Sequence, residues 1–532
     1  MKNLKANPLL TFFSAIIMLL GLAGFSSNQV HAEESDTLRV GMEANYPPYN
    51  WTQQDDSNGA VKIDGESLYA NGYDVQMAKK IAAGLGKKNV VVAKTQWDGL
   101  LPSLTSGKID MIIAGMSPTP ERRQAIDFTN AYYTSNIVMV VNSTGKYANA
   151  TNLADFNGAK ITGQLGTFHY DAIEQIQGAI KEPAMKDFSA MRVSLESKTI
   201  DGYVSEKPEG ISVSSANPNL KMIEFKRGQG FHLDPSETQS AIGLRKGDSN
   251  LEKVNEILAT IPEDERDKMM TTAVHSQPKP ATEGNWFINI WQQYGAMLLR
   301  GTAMTVFISL IGTIVGFFIG LLVGIIRTIP LAKSRGKRWT TRVASFLASV
   351  YIELFRGTPM IVQAAVFYYG AAQMFGLNLD RTLAALIVVS INTGAYLSEI
   401  IRSGIISTDE GQFEAASALG MNHFQRMRKI ILPQAVRNSL PSVANEFIVN
   451  IKDTSVLSII SVSELFFTGS TIAGQNFQFF HTYLTITFIY LVLTFTITRI
   501  FRLIEKKLNG PKDYNLMANQ EQVTSNSREV KN

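Results

Sequence analysis

The chain of 532 residues contains no cysteine. That excludes disulfide bridges, thiolate zinc sites, iron–sulfur clusters and a lipid-anchored N-terminal cysteine. Histidine is scarce, with six in all. Neither His31 nor His169 has a companion at metal-ligand spacing, so no metal is expected. No Gly-x-x-x-x-Gly-Lys-Ser/Thr loop occurs, which removes the usual cradle for nucleotide phosphates. No catalytic constellation stands out, and neither enzyme activity nor a cofactor on this chain is expected. Charge is unevenly distributed: residues 289–532 hold 22 Lys+Arg against 13 Asp+Glu, and the residues before them are net acidic. The basic excess thus belongs to the apolar half and not to a nucleic-acid surface.

What is present falls into blocks. Lys2 and Lys5 precede an apolar run over 9–25, and Val30-His31-Ala32 offers small residues for cleavage. Residues 1–32 therefore read as a signal peptide, with an uncleaved anchor helix as the alternative because the run is long. From Thr37 short apolar runs alternate with amphipathic stretches: strands at 38–42, 90–92 and 111–113, helices near 72–85 and 100–106. A second such series covers 159–225, and the segments 240–245 and 251–261 return to the first lobe. The pattern predicts a two-lobed α/β domain over 36–275, with mostly parallel strands and a cleft that can close. Residues 276–288, rich in proline and polar residues, read as a linker.

Apolar stretches then recur at 302–326, 360–375, 383–401, 440–461 and 483–500 within a domain set at 289–508. About 20 residues cross the hydrocarbon core, so five spans are predicted. Pro359 divides an overlong stretch, leaving 343–354 as an interfacial or cytoplasmic helix. With the two-lobed domain outside, the inside loops 327–342, 402–437 and 499–512 hold six, five and five Lys+Arg. The outside loops 371–382 and 463–480 hold only Arg381, as the positive-inside rule requires. The tail at 509–532 is polar and is expected to be disordered.

Glu414-Ala415-Ala416-Ser417-Ala418-Leu419-Gly420, followed by Ile431-Leu432-Pro433, describes a helix of small residues, a turn and a second helix ended by proline. By spacing alone it is an ordinary helical loop between spans. Together with Glu353-Leu354-Phe355-Arg356-Gly357-Thr358-Pro359, Gly394-Ala395-Tyr396-Leu397-Ser398-Glu399, Gly411-Gln412, Pro433-Gln434-Ala435 and Lys452-Asp453-Thr454-Ser455, it resembles the permeases of ABC importers for polar amino acids, of the histidine/glutamine/arginine type. The resemblance implies that Glu414, Ala415, Ala416 and Gly420 couple to a separate ATP-hydrolysing chain. It also implies a pore built from two such chains, hence a homodimer in the cell membrane.

Residues 36–275 are similar to the amino-acid-binding proteins of the same importers, with Gly115-Met116-Ser117-Pro118-Thr119-Pro120-Glu121-Arg122 and Asp127-Phe128-Thr129 as the strongest match. A periplasmic-binding-protein-like fold and an extracellular amino acid ligand follow from that likeness. Arg122 suits the ligand carboxylate because a guanidinium holds it bidentately; the plainer reading is a surface ion pair with Glu121 or Asp127. By the resemblance, Ser117, the amide of Gly115, and Gly166 with Thr167 at a helix start assist. Glu206 takes the place of an acid for the ammonium, where many relatives carry Asp; Asp201 is the fallback but suits a turn better. Tyr46, Tyr49 and Trp97 match aromatic walls, although Tyr49 reads better as core. Glu43 falls where an acid faces the ligand side chain, which leans toward arginine, lysine or histidine, with a glutamine/glutamate importer as the alternative. Asp98 reads as a helix N-cap.

In the apolar half Lys452 and Asp453 lie within a span, either paired across subunits or lining the route. Glu399 and Arg402 pair along their helix. An amino-acid-gated channel and a membrane sensor remain the other readings. The first would interrupt the binding domain with its pore, whereas both lobes precede Trp286; the second needs an output domain beyond the last span.

Overall fold

The computed structural model describes residues 36–226, 228–234, 237–277, 284–330, 334–476 and 478–509. The predicted signal peptide, the 278–283 portion of the linker and the tail from 510 onward lie outside the described residues. The first part of the chain forms β1 (Thr37–Met42), β2 (Asn45–Tyr46), β3 (Asn50–Gln53), β4 (Val61–Lys62), β5 (Tyr69–Asn71), α1 (Tyr73–Gly84), β6 (Asn89–Lys94), α2 (Trp97–Thr105), β7 (Met111–Ile112), α3 (Pro120–Ala125) and β8 (Asp127–Thr134). There follow β9 (Ile137–Asn142), β10 (Lys160–Thr162), α4 (Phe168–Ala172), β11 (Ile180–Lys181), α5 (Phe188–Glu196), β12 (Gly202–Glu206), α6 (Lys207–Ala216), β13 (Leu220–Ile223), β14 (Gln239–Leu244), α7 (Leu251–Ala259) and α8 (Glu263–Ser276).

Two five-stranded sheets make the two lobes. The first runs β6-β1-β7-β14-β8 and the second β11-β10-β12-β9-β13. In each, four strands run in one direction and one is reversed, which leaves two parallel and two antiparallel pairings. The reversed strands are β9 and β14, each the first strand after a crossing between lobes; a strand entering from the other lobe arrives at the opposite end of the sheet. A third, four-stranded antiparallel sheet, β2-β3-β5-β4, was not foreseen. Its strands of two to four residues are too short to display a period of two. Leu38, Val40, Ile112, Ile242 and Leu244 pack the first core, and Met139, Val141, Phe156, Ile161 and Val204 the second.

The helical part consists of α9 (Trp286–Thr328), α10 (Arg335–Gly357), α11 (Met360–Ala365), α12 (Ala371–Phe375), α13 (Arg381–Ile406), α14 (Glu410–Ala418), α15 (His423–Arg426), α16 (Leu432–Asp453), α17 (Leu465–Asn476) and α18 (Phe479–Asn509). Among the described residues three helices, α9, α13 and α18, are long and apolar enough to cross a membrane alone. A bent stretch, running from His423 through Ile460 and turning by 58° into α17, meets the same length and composition taken as a pair. The expected span near 360–375 is the shorter apolar helix Met360–Phe375, joined through a π turn at Val366–Gly370. The helix foreseen at 343–354 is part of α10, which ends at Gly357 before Pro359.

The chain divides into two compact units. One comprises the two lobes through Thr302 together with Ala364–Ala384 and Leu457–Ile486; the other holds Ala303–Gln363, Ala385–Val456 and the residues from Thr487. Within the second unit α9 lays Gly312, Gly316, Gly320 and Gly324 against α13. A Cβ on Gly320 would stand 2.9 Å from the Ser398 nitrogen, and one on Gly316 2.9 Å from the Thr393 side chain. Small residues every fourth position let the two backbones close on each other, the usual substitute for hydrophobic drive inside lipid. Asn450 donates to Thr313 Oγ1 and Thr393 Oγ1, each at 2.9 Å, tying α16 to both helices. Glu399 pairs with Arg402 at 3.0 Å as expected, and also with Arg327.

Candidate functional site

The first lobe supplies one wall of a cleft through three chain segments. After β7 the chain passes Gly115 at φ +64, a left-handed position where a Cβ would also press on Tyr46 at 3.3 Å. Ser117 follows, 3 % exposed. Thr119 then caps α3, with Pro120 in its first turn, so Arg122 projects from the opening turn of a short helix. Its guanidinium donates to the Ser117 carbonyl at 2.8 Å and, across the cleft, to the Gly166 carbonyl at 2.9 Å. The guanidinium also lies 5.1 Å from the centre of the Trp97 ring. Asp127, a partner in the plainer reading, is occupied by Lys246 at 2.9 Å, and Arg122 is not a surface ion pair with it.

The second lobe answers with the loop after β10 and the end of β12. Gly166 takes φ +69 in the turn before α4, and Thr167 Oγ1 donates back to the Gln164 carbonyl at 2.8 Å. Glu206 closes β12 at 2 % exposure and accepts a hydrogen bond from the Tyr49 hydroxyl of the other lobe. Beneath it a buried network holds the turn into α6: Arg192 donates to Glu209 at 2.7 Å, and Ser205 and Tyr203 donate to it at 2.5 and 3.2 Å. Tyr46 stacks on Tyr49 at 5.0 Å and on Phe188 at 4.6 Å, another contact between lobes.

The space enclosed is about 10 Å³, lined by Glu43, Tyr46, Trp97, Gly115, Ser117, Arg122, Thr167 and Glu206 along with Gln164, Phe168 and His169. That is room for roughly one water. Of the nine predicted cleft residues, only Gly166 is not a lining residue, and its carbonyl holds Arg122. Gln164, Phe168 and His169 were missed. They flank Gly166-Thr167 in sequence, and that proximity was the signal available.

Burial governs the electrostatics. The Glu43 carboxyl is pushed up to about 8, by burial first, with Asp187 and Asp98 adding to it. Glu206 is pushed up to about 7, again chiefly by burial, against the pull of the Tyr49 hydrogen bond. Burial and then the Arg122 charge hold the His169 imidazole down near 3, so it is neutral and its 3.8 Å approach to Glu206 is not an ion pair. Arg122 itself is lowered to about 10 by burial and stays cationic.

Two expectations need correction. The Gly115 amide donates to the Tyr132 hydroxyl at 2.8 Å, inside a network in which Tyr132 and Asn50 both hold Asp74 at 2.7 Å, so this amide is committed to the lobe. Asp98 is not the N-cap of α2; Gln96 is, and Asp98 sits in the first turn, where its charge still suits the helix start. Tyr49 is core, as read, but its hydroxyl reaches Glu206 as well. Asp201 does hold a turn, accepting from the Lys160 amide at 2.9 Å.

The second candidate site is α14. Asp409 caps it by accepting from the Gly411 amide at 2.7 Å, and Gly420, at φ +73, ends it. Glu414, Ala415 and Gly420 are exposed, while Ala416 is buried. Leu419 and Phe424 stand 79 % and 69 % exposed beside them. Pro433 does not end the following helix as predicted. A π turn at Met427–Ile431 absorbs the break, and Pro433 lies in the first turn of α16, where its missing N–H costs nothing. Lys452 and Asp453 are the last two residues of α16 and lie, as expected, inside the bent apolar stretch that runs from His423 through Ile460.

Two family signatures match the chain: bacterial extracellular solute-binding proteins, family 3, over residues 38–272, and the binding-protein-dependent transport system inner membrane component over residues 320–510. The chain is 36% identical over 213 residues to the glutamine transport system permease protein GlnP of Escherichia coli K12, which covers 40% of this chain and 93% of that protein. It is 35% identical over 211 residues to the putative glutamine transport system permease protein GlnP of Rickettsia bellii, covering 40% and 92%. An amino acid ABC transporter substrate-binding protein, AbpA of Streptococcus pneumoniae, solved bound to L-arginine, aligns at 22% identity with a TM-score of 0.38, over 46% of this chain and 96% of that one.

Proposed function

Because this chain belongs to the ABC importers of polar amino acids, with a solute-binding domain and a permease domain fused in one polypeptide, we propose that it captures an amino acid outside the cell in the Arg122–Glu206 cleft and delivers it to its own permease half. The observation that carries this reading is convergence. Arg122, Ser117 and Trp97 from one lobe meet Gln164, Thr167 and Glu206 from the other around one small space. A ligand carboxylate replaces the Gly166 carbonyl as the acceptor of the Arg122 fork, and the ligand ammonium replaces the Tyr49 hydroxyl on Glu206. These two hydrogen bonds across the cleft are thus exchanged for stronger, charge-assisted ones. An amino acid does not fit in 10 Å³, so it enters with the lobes apart and is enclosed as they close.

The side chain of the ligand points toward Glu43. With Asp98 and Asp187 both near enough to raise the Glu43 carboxyl, and Lys186 and a Gln164 hydrogen bond opposing them, the local charge favours a cationic side chain. Arginine, lysine and histidine are the class proposed. Glutamine is the second reading, favoured by the raised Glu43 carboxyl, which when protonated donates to an amide oxygen, and by the names of the permease relatives. Two copies of the chain make the pore, and a separate ATPase docks on α14 through Glu414, Ala415, Gly420 and the exposed Leu419. Buried Ala416 packs that helix in place.

Calorimetric titration of the full chain in nanodiscs with the twenty amino acids tests the reading. Binding of basic amino acids, abolished by Arg122→Ala and weakened by Glu43→Gln, is expected. Tight binding of glutamine alone overturns the cationic class, and no binding by any amino acid overturns the receptor.

A further inference from the structure

Arg381 is the one Lys or Arg in the loops assigned to the outer face, 371–382 and 463–480. It is also not left to solvent. Its guanidinium donates to the Lys94 carbonyl at 2.7 Å and reaches the Ser461 carbonyl at 3.4 Å and Thr95 Oγ1 at 3.5 Å, all inside one compact unit. We propose that Arg381 is a positioning residue that docks the first lobe on the outer segments of its own chain, and that it grips the strand end leading directly to the cleft wall. This rests on the reading that the two-lobed domain serves the permease half of the same polypeptide.

The seam has four further points. Gln96 donates its backbone N–H to Ser461 Oγ at 3.3 Å, so Lys94, Thr95 and Gln96 are each held, and the next residue is Trp97, which lies under Arg122 in the cleft. Ser463 donates to Glu66 at 2.5 Å. Lys94 donates to the Thr471 hydroxyl and stands 4.8 Å from the Phe467 ring centre, while Lys108 stands 3.6 Å from that of Tyr368 and 3.4 Å from Asn378 Oδ1. Burial lowers both lysines to about 8, as expected of cations drawn out of water.

The geometry has a functional consequence. A guanidinium that spans the Lys94 and Ser461 carbonyls joins a receptor strand to an outer segment through two bonds from one rigid plane. Because residues 94–96 continue straight into Trp97, displacement at the seam moves a cleft wall, and the free energies of docking and of ligand closure are linked. The exception to the charge asymmetry thereby has a role: a cation on the outer face is retained where it has carbonyls to hold.

The absence of cysteine makes the test clean. In the full chain in nanodiscs, Glu66→Cys with Ser463→Cys supplies the only thiols, and a short bis-maleimide is added. The expected product is one reagent bridging both thiols within a chain, seen by intact mass without doubling. Arg381→Ala is expected to slow bridging roughly tenfold, and Arg381→Lys to restore part of the rate, since one bond survives without the fork. Arginine binding, measured by calorimetry, reports that each variant is folded. A bridge found only at twice the chain mass, or a rate indifferent to Arg381→Ala in a chain that still binds arginine, overturns the proposal. If no amino acid binds even the unsubstituted chain, the receptor reading fails, while the bridging result stands on its own.

Discussion

In the two-lobed domain the interior carries ionisable groups, and in the second unit the buried helix contacts are made by amides, hydroxyls and glycines. Glu206 and Glu209 are 2 % and 0 % exposed, and Arg192 is 1 % exposed. Asn450, Thr313 and Thr393 play the corresponding part between α9, α13 and α16, and every one is neutral. The contrast follows from what each region can draw on. On the proposed reading the cleft opens to water and rehydrates Glu206 with every cycle, so its burial is temporary, while Arg192 and Glu209 beneath it compensate each other. A contact between spans is never rehydrated, and there a neutral hydrogen bond is far less costly than an ion. The lobes are built to change partners and the helices to keep them.

The largest effect expected from breaking this contrast is at Arg122. Arg122→Ala leaves the ligand carboxylate facing a buried Glu206 and carbonyl oxygens with no cation between, and a loss of more than about a hundredfold in affinity is expected by calorimetry. The matching break in the helical unit is Gly320→Leu. Its side chain would begin 2.9 Å from backbone nitrogen of α13, which cannot yield as a flexible side chain could. We expect a loss of about 2–4 kcal/mol or failure to assemble, read as a fall in Tm of the detergent-solubilised chain. Unchanged Tm would mean that the α9–α13 contact is not what holds the unit together.

A finer contrast lies in protons. In the closed cleft Glu43 and Glu206 titrate near 8 and 7, above an ordinary carboxyl, and both return toward the ordinary value when the lobes part. Closing without ligand therefore takes up protons. A carboxyl raised in the closed form favours that form fully below its open-state value, and the advantage is lost as pH rises through 7 and 8. Fluorescent labels on the two lobes should report the ligand-free receptor opening as pH is raised from 5 to 8. The same linkage separates the two substrate classes. A cationic side chain keeps Glu43 ionised on closure, and affinity stays nearly flat over this range. An amide side chain requires the protonated acid, and affinity falls by up to about tenfold per pH unit, one proton's worth.

How much of this was visible in the sequence depends on whether a residue acts through its own chemistry or through its neighbours. Arg122 and Glu206 were picked out by the resemblance of their stretches to the amino-acid-binding proteins, and the chain brings both to one space. The Gly115 amide was misassigned because its partner, the Tyr132 hydroxyl, lies 17 residues away and no local pattern couples them. His169 lacked metal companions and was set aside, whereas its place is set by two neighbours in sequence, Gly166 and Thr167. Pro433 shows the reverse error: a proline was read as a stop, but a π turn ahead of it makes it a start. The four-residue spacing of Gly312, Gly316, Gly320 and Gly324 was in plain view within an expected span, and only its partner helix was not.

The smallest predicted effect probes that neutral interior directly. Asn450 donates to two threonines on two other helices, and Thr393 Oγ1 donates to Asn450 Oδ1 at 3.2 Å, so one amide organises three spans. Bonds between helices in lipid contribute on average about 0.6 kcal/mol, because a separated helix finds other partners. Asn450→Ala should therefore cost about 1–2 kcal/mol for two to three bonds, a fall of a few degrees in Tm, well below that of Gly320→Leu. Asn450→Asp is the sharper variant. It keeps size and acceptors but introduces an ionisable group among buried hydroxyls, and if helices tolerate charge as the cleft does, its cost should match that of alanine. A loss clearly greater than alanine's, relieved as pH is lowered and the carboxyl is protonated, is the outcome expected of an interior whose partners never change.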